Sequence, residues 1–247
     1  MKFFTIRKKR NKTDIATLLR PTLFLISAIA LFVYPLKVKA KATEEQHEIL
    51  KEAAESMINA RYVVEKLQAS SLEILPPSIR LDMLDYWDVD SVYKASNVLG
   101  GQSWIINLTE NYAKLQLSPV STLQIKILPE KKERVIMTIY TVGDEPQAAD
   151  SEIKFYNEEL QELPAAKYFK APEVKSFFDI PRGSATKMKE IEQMIPFPTI
   201  AYNANPDNDN LQSILTVEQF VNQDDWNIAK LFLKPEVILE WKNGKYK

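Results

Sequence analysis

The sequence predicts an α+β protein: N-terminal helices packed on an antiparallel β-meander, with a proline-rich connection to a C-terminal strand-helix-strand segment. Three observations carry this reading. Between Thr43 and Ser70 the apolar residues recur at helical spacing. From Gln102 the period changes to two, in successive runs parted by short polar breaks. Beyond Tyr156 prolines accumulate at 164, 172, 181, 196, 198 and 206, before order returns near Leu211.

Residues 1–42 read as an export signal rather than as part of the fold. Lys2, Arg7, Lys8, Lys9, Arg10, Lys12 and Arg20 form a basic leader, and an apolar run from Thr22 to Leu36 follows. Ala40-Lys41-Ala42 then sets small residues at both recognition positions, so cleavage is expected between Ala42 and Thr43. A retained membrane anchor is the competing reading. The stretch from Pro21 to Leu36 would span only about 24 Å at ~1.5 Å per residue, against a hydrocarbon core of roughly 30 Å. Arg20 and the Lys37, Lys39, Lys41 series close its two ends. The chain has no cysteine, which excludes a lipid-modified cysteine as anchor. No adjacent arginine pair precedes the apolar run, so twin-arginine export has no support.

Charge and composition narrow the chemistry. The full chain carries a formal charge of −1, but without residues 1–42 the remainder holds 22 Lys/Arg against 32 Asp/Glu, a charge of −10. The basic cluster belongs to targeting, and an acidic domain is poorly suited to displacing counterions from nucleic acid. Thiolate nucleophiles and Cys-ligated zinc or iron–sulfur sites are impossible without cysteine. The single histidine, His47, falls between Gln46 and Glu48 on the charged side of the first helix, where it reads as a solvated side chain.

The elements follow in order. The first helix, Thr43 to Ser70, carries Ile49, Leu50, Ala53, Ala54, Met57, Ile58, Val64 and Leu67 on one stripe, with Thr43 as N-cap. Leu75-Pro76-Pro77 breaks the chain. A second helix capped by Ser78 turns Leu81, Leu84 and Trp87 inward, with Asp82, Asp85 and Asp88 on a solvated face and Arg80 available to pair with one of them. Asn97-Val98-Leu99-Gly100-Gly101 closes the helical part. Trp104–Leu108, Tyr112–Leu117, Thr122–Leu128, Arg134–Val142 and Glu152–Tyr156 read as strands, and their short connections require antiparallel neighbours. A short helix is expected over Ser184–Met194 and a polar turn over Asn203–Asn210. Asp207, Asp209 and Glu218 fall in a calcium-loop register, which fails at Leu211 and Gln212. A strand over Leu211–Phe220, a helix capped by Asp224 or Asp225, a strand over Val237–Trp241 and a turn at Asn243-Gly244 complete the chain.

With these residues in place the chain resembles a secreted Bacteroidales family of uncharacterised proteins, domain of unknown function 3256. The resemblance rests on Leu75-Pro76, Arg80-Leu81-Asp82-Met83-Leu84-Asp85-Tyr86, Asn97 and Leu99-Gly100-Gly101-Gln102-Ser103. It continues through Leu108-Thr109, Tyr112, Leu117-Ser118, Ser121-Thr122-Leu123, Leu128-Pro129 and Thr141-Val142. Asp150-Ser151, Phe155-Tyr156 and Trp241-Lys242-Asn243-Gly244-Lys245-Tyr246 complete it. It covers residues 70 to 247, leaving the first helix as an extension. The family brings no assigned activity; the resemblance implies export and an α+β domain, and marks Arg80, Asp82, Asp85 and Tyr86 as a motif.

Three functions remain open at this level. The first is a non-enzymatic exported domain binding a protein or glycan, with Tyr86, Trp87, Trp104, Trp226 and Trp241 as aromatic surface if they escape the core. The second is a carboxylate-dependent hydrolase such as a glycosidase, although no Asp/Glu pair is marked. The third is a cell-envelope assembly factor held at the membrane by an uncleaved N-terminus. No catalytic, cofactor-binding or metal-ligating residue is expected, and no nucleic-acid partner.

Overall fold

The computed structural model describes residues 58–89, 93–130, 133–144, 148–181 and 185–247. All of them lie in one compact unit, Ser56–Lys247. Ala42, Thr43, His47 and the apolar run of the expected signal lie outside the described residues. No helix among the described residues is long and apolar enough to cross a membrane.

The centre is a seven-stranded antiparallel meander. Its strands, in both sequence and spatial order, are β1 (Ala95–Ser96), β2 (Gln102–Leu108), β3 (Tyr112–Ser118), β4 (Ser121–Leu128), β5 (Val135–Asp144), β6 (Ala148–Tyr156) and β7 (Glu162–Leu163). The five long strands match the expected ones to within a few residues at each end. The two-residue strands β1 and β7 were not anticipated. They form the sheet's edges, and so short an edge offers little template for foreign strands.

One face of the sheet buries Leu115, Leu123, Ile125, Ile127 and Ile136 against the helical part, α1 (Ala60–Lys66) and α2 (Pro77–Trp87). The opposite face buries Met137, Ile139 and Phe155 under a second sheet. That sheet has three antiparallel strands in the order β10-β9-β8: β8 (Ile200–Ala204), β9 (Leu211–Leu215) and β10 (Val237–Leu239). The short helices α3 (Ala165–Tyr168), α4 (Ala185–Met194) and α5 (Gln223–Ala229) complete this half. β4, fourth of seven, is covered on both faces, and only Thr122 among its residues is not buried.

Several local expectations need correction. The first helix is not continuous to Ser70. Asn59 lies in extended backbone, and its side chain accepts from the Tyr62 amide, starting a new helix of seven residues; the expected turns before Ile58 lie outside the described residues. An Asn side chain satisfies the orphan amides of a helix start better than it serves mid-helix, so it punctuates a stripe that otherwise continues. Ser78 is not the cap of α2: Pro77 occupies the first turn, where its missing N–H costs nothing. The face that α2 buries is Arg80, Met83 and Leu84, while Leu81 is 42% exposed. Residues 97–101 do not end a helix but connect β1 to β2. The strand expected to reach Phe220 stops at Leu215, and β8 occupies part of the stretch whose prolines predict loop. Helix α5 is capped by Asn222 rather than by Asp224 or Asp225, whose amides donate to it. Asn243 and Gly244 both have positive φ, as the expected tight turn requires.

Candidate functional site: a polar cleft between the two sheets

The motif Arg80–Tyr86 is divided by the structure. Arg80 is 2% exposed, and its Nη1 donates to the carbonyls of Val64 and Leu67, both at 2.8 Å. Burial pulls its pKa down and Glu65 partly restores it. Asp82 and Asp85 are exposed and neither pairs with it. Asp85 and Asp88 instead face Arg61, at 3.8 and 3.1 Å, and Arg61 also donates to the Leu84 carbonyl at 2.9 Å. Tyr86 stacks on Tyr93, ring centroids 4.1 Å apart. The four motif residues thus converge on no common point.

Other quoted motifs are polar pins inside the fold. Asn97 donates to Ser103 Oγ and to the Leu117 carbonyl, and its Oδ1 accepts from the amides of Leu99 and Gly101. The indole of Trp241 donates to the Pro129 carbonyl at 2.8 Å, joining two motifs 112 residues apart. Gly244 sits where any Cβ would meet the Glu130 carboxylate at 2.0 Å. Asp150 and Ser151 accept from the amides of Ile200 and Tyr202 on the outer edge of β8.

That edge is where a cleft forms. The amide of Ala204 donates to Gln124 Oε1 at 3.0 Å, which also accepts from the Tyr112 hydroxyl at 3.2 Å. Gln124 Nε2 donates to the Tyr202 carbonyl and to Asn203 Oδ1, both at 3.1 Å. A buried Gln with two donors and two acceptor contacts filled is a rigid post. Burial pushes the Tyr112 phenol up to about 12, so it stays a donor at any ordinary pH. Next along β4, buried Lys126 donates to the carbonyls of Asn205 and Pro206, at 3.0 and 3.3 Å, with Asp209 at 3.8 Å. The turn read as a failed calcium loop therefore closes over an ammonium group, and Asn205 Oδ1 accepts from the amides of Asp207 and Asn208. Among the described residues no group of three or more His, Asp or Glu side chains has metal-site geometry.

Above Gln124 lies a cavity of about 410 Å³. Tyr112, Lys114 and Gln124 line it from the large sheet; Asn203, Asn205, Asn210, Gln212 and Glu236 line it from the second. Gln212 donates to the Glu236 carboxylate. Lys114 and Gln124 also belong to the face of β2, β3 and β4 that carries further polar side chains. Directly opposed residues share a face, so Trp104 stands with Gln116 and Thr122, and Asn107 with Lys114 and Gln124. A β-bulge between Ile105 and Asn107 brings Asn107 onto this face while Ile105 and Leu108 stay on the apolar one. Trp104 is half-buried, with Lys94 Nζ 4.4 Å from its ring centroid. Lys114, Asn107 and Thr122 make no side-chain hydrogen bond among the described residues, whereas Gln116 donates to the carbonyls of Ser118 and Ser121.

The other aromatic candidates have structural settings. Trp226 is 4% exposed in the core, Trp87 packs against the helix-side core, and Trp241 sits between Tyr168 and Tyr246. Of the candidates named from sequence, Trp104 alone stands on the open polar face beside the cleft.

The architecture is thus a three-layer α+β domain, in which helices, a seven-stranded meander and a smaller antiparallel sheet are stacked, with a polar cleft lined by residues from both sheets. The chain belongs to the family described as protein of unknown function DUF3256, whose profile matches residues 59–246. The match takes in α1, so this helix belongs to the shared domain rather than to an extension before it. A solved domain of an uncharacterized protein from Porphyromonas gingivalis has the same fold, with a TM-score of 0.63 and 22% identity, over 76% of this chain and 96% of that one. No curated protein matches the sequence.

Proposed function

We propose that this chain is an exported, non-enzymatic binding domain whose ligand is a glycan held in the polar cleft. The observation that carries the reading is the lining itself. Sugar hydroxyls both donate and accept, and carboxamides, which do the same, supply Gln124, Asn203, Asn205, Asn210 and Gln212 around one cavity. Gln124 is fully bonded and positions its neighbours; the amides nearer the rim, with Lys114 and Asn107, meet the ligand. Trp104 gives the adjoining face an aromatic platform for the apolar side of a sugar ring. The lining favours binding over hydrolysis. A glycosidase needs two carboxyl groups flanking one bond, and among the described residues Glu236 alone lines the cleft with a carboxylate, held there by Gln212.

Export rests on the N-terminal sequence: a basic leader, a short apolar run and alanines at 40 and 42. N-terminal sequencing of the protein recovered outside the cytoplasm should begin at Thr43, or failing that at Lys41. A chain starting before Lys37 would overturn export by cleavage and favour the anchored assembly factor.

The glycan reading is tested on an oligosaccharide array with the purified protein. Binding should weaken by about tenfold in Trp104→Ala and in Lys114→Ala, the scale of a central contact residue. Lys114→Ala should melt close to wild type, whereas Trp104→Ala, at a half-buried position, should melt lower and is assayed where circular dichroism shows it folded. Array binding that both variants retain would place the ligand elsewhere; no glycan bound by the wild type would sink the reading.

A further inference from the structure

A second concavity in the C-terminal half shares no lining residue with the polar cleft. It encloses about 600 Å³ between the stretch from Ala166 to Ser176 and the chain's closing segment, Leu239 and residues 245–247. Five lysines line it: Lys167, Lys170, Lys175, Lys245 and Lys247, against one carboxylate side chain, Glu173. Lys167 turns its ammonium to the Tyr168 hydroxyl, near Glu130 and Glu133, but Lys170, Lys175, Lys245 and Lys247 against Glu173 still make the groove locally positive in a domain whose sequence after residue 42 carries −10.

The walls are held by contacts that do not use the lysine charges on one another. The Tyr246 amide donates to the Tyr168 carbonyl at 2.8 Å, tying the closing segment to α3. Tyr168 stacks on Phe155 and on Trp241, and Trp241 meets Tyr246 edge-on at 5.0 Å. Lys167 Nζ bonds the Tyr168 hydroxyl at 2.9 Å, which holds its proton more tightly than an ordinary lysine.

Glu173 reaches Lys170 at 3.4 Å and Lys175 at 2.5 Å. Both lysines and the glutamate are more than half exposed, so these pairs are screened and add little to stability. The glutamate occupies, from within the chain, part of the space where an anion would sit. We propose that this groove is a binding site for a multiply charged phosphate group, free or carried as a headgroup, and that Glu173 is its intramolecular competitor. A phosphate displaces the carboxylate from Lys170 and Lys175 and gains Lys245 and Lys247 from the facing wall.

The competitor gives the test its sign. Inorganic pyrophosphate is titrated calorimetrically into the purified protein, and sedimentation is measured with phosphatidylcholine vesicles lacking or containing phosphatidic acid. Tags are kept off the C-terminus, because Lys247 lines the groove. The double variant Lys170→Ala/Lys245→Ala, which removes one ammonium from each wall, should bind about tenfold more weakly. Glu173→Gln should bind about threefold more tightly, the scale of one surface ion pair. All three side chains are outside the core, so unchanged melting checks that the variants fold. Pyrophosphate binding with this pattern supports a free phosphate; vesicle binding alone with the same pattern supports a headgroup. No binding to either probe, or a Glu173→Gln variant that binds no tighter, would overturn the proposal.

Discussion

Arg80→Ala should destabilise the domain by about 3–5 kcal/mol, the range for stripping one partner from a buried charged network. The side chain is 2% exposed. The two carbonyls it serves, Val64 and Leu67, lie at the C-terminal end of α1, where a helix leaves carbonyls unpaired and carries partial negative charge. The guanidinium therefore acts as a C-cap donated by the next helix. Without it, two carbonyls remain buried between α1, α2 and the sheet with no water to satisfy them, and a cavity remains where the stem packed. Arg80→Lys should recover only part of the loss, since an ammonium lacks the planar fork and its shorter reach misplaces the donor. Asp82→Asn and Asp85→Asn should change stability by no more than about 0.5 kcal/mol, as exposed positions do. Urea unfolding curves of the four variants measure this ordering. If Arg80→Ala melted like wild type, the capping role would be wrong.

The meander was legible because its strands alternate and its connections are short. Leu123, Ile125 and Ile127 announced one buried face of β4 without ambiguity. The same alternation misled about the other face. Alternation alone would set Gln124 and Lys126 toward solvent, yet they are 1% and 3% exposed. Period tells which residues share a face; it does not tell what will cover that face. Here the cover is the edge of β8, some 80 residues later, whose unpaired amides and carbonyls need polar partners. The polar residues on β4 and β6 are matched to that edge rather than to water. β8 itself was missed because Ile-Ala-Tyr-Asn-Ala lies between Pro198 and Pro206 and holds one β-branched residue.

The cleft was hidden for a related reason. Its lining runs from Tyr112 to Glu236 along the chain, and each member alone reads as an ordinary surface amide or charge. Nothing in local spacing brings Asn107 beside Gln124; a bulge in β2 does, and bulges leave no strong mark in a single sequence. The motifs that stood out, Asn97 with Leu99–Ser103, Asp150-Ser151 and Trp241–Tyr246, mark turns and edge pins. They identify the family and the fold, whereas the residues placed to meet a ligand are less distinctive.

Lys126→Ala should cost about 3 kcal/mol, by the same logic as Arg80 but at the other sheet. The ammonium holds the β8–β9 turn by two carbonyls and lies 3.8 Å from Asp209, in a site 3% exposed. Removing it leaves the Asn205 and Pro206 carbonyls without a donor and Asp209 without its cation. Lys126→Met keeps the stem's packing and removes only the donors, so about 2 kcal/mol is expected. The two variants also separate in pH. Burial holds the Lys126 pKa below 10.5, while in the unfolded chain it titrates at its ordinary value. Between those values the unfolded state binds more protons, so the lysine's contribution to stability rises with pH there. Buried Tyr112 and Tyr202, whose pKa values are raised by burial, oppose that rise in both proteins, and they cancel in the difference. The stability gap between wild type and Lys126→Met should therefore widen as pH climbs toward 10.5. A constant gap would mean that the ammonium is solvated, and a narrowing one that its pairing with Asp209 outweighs burial; either result would overturn this reading.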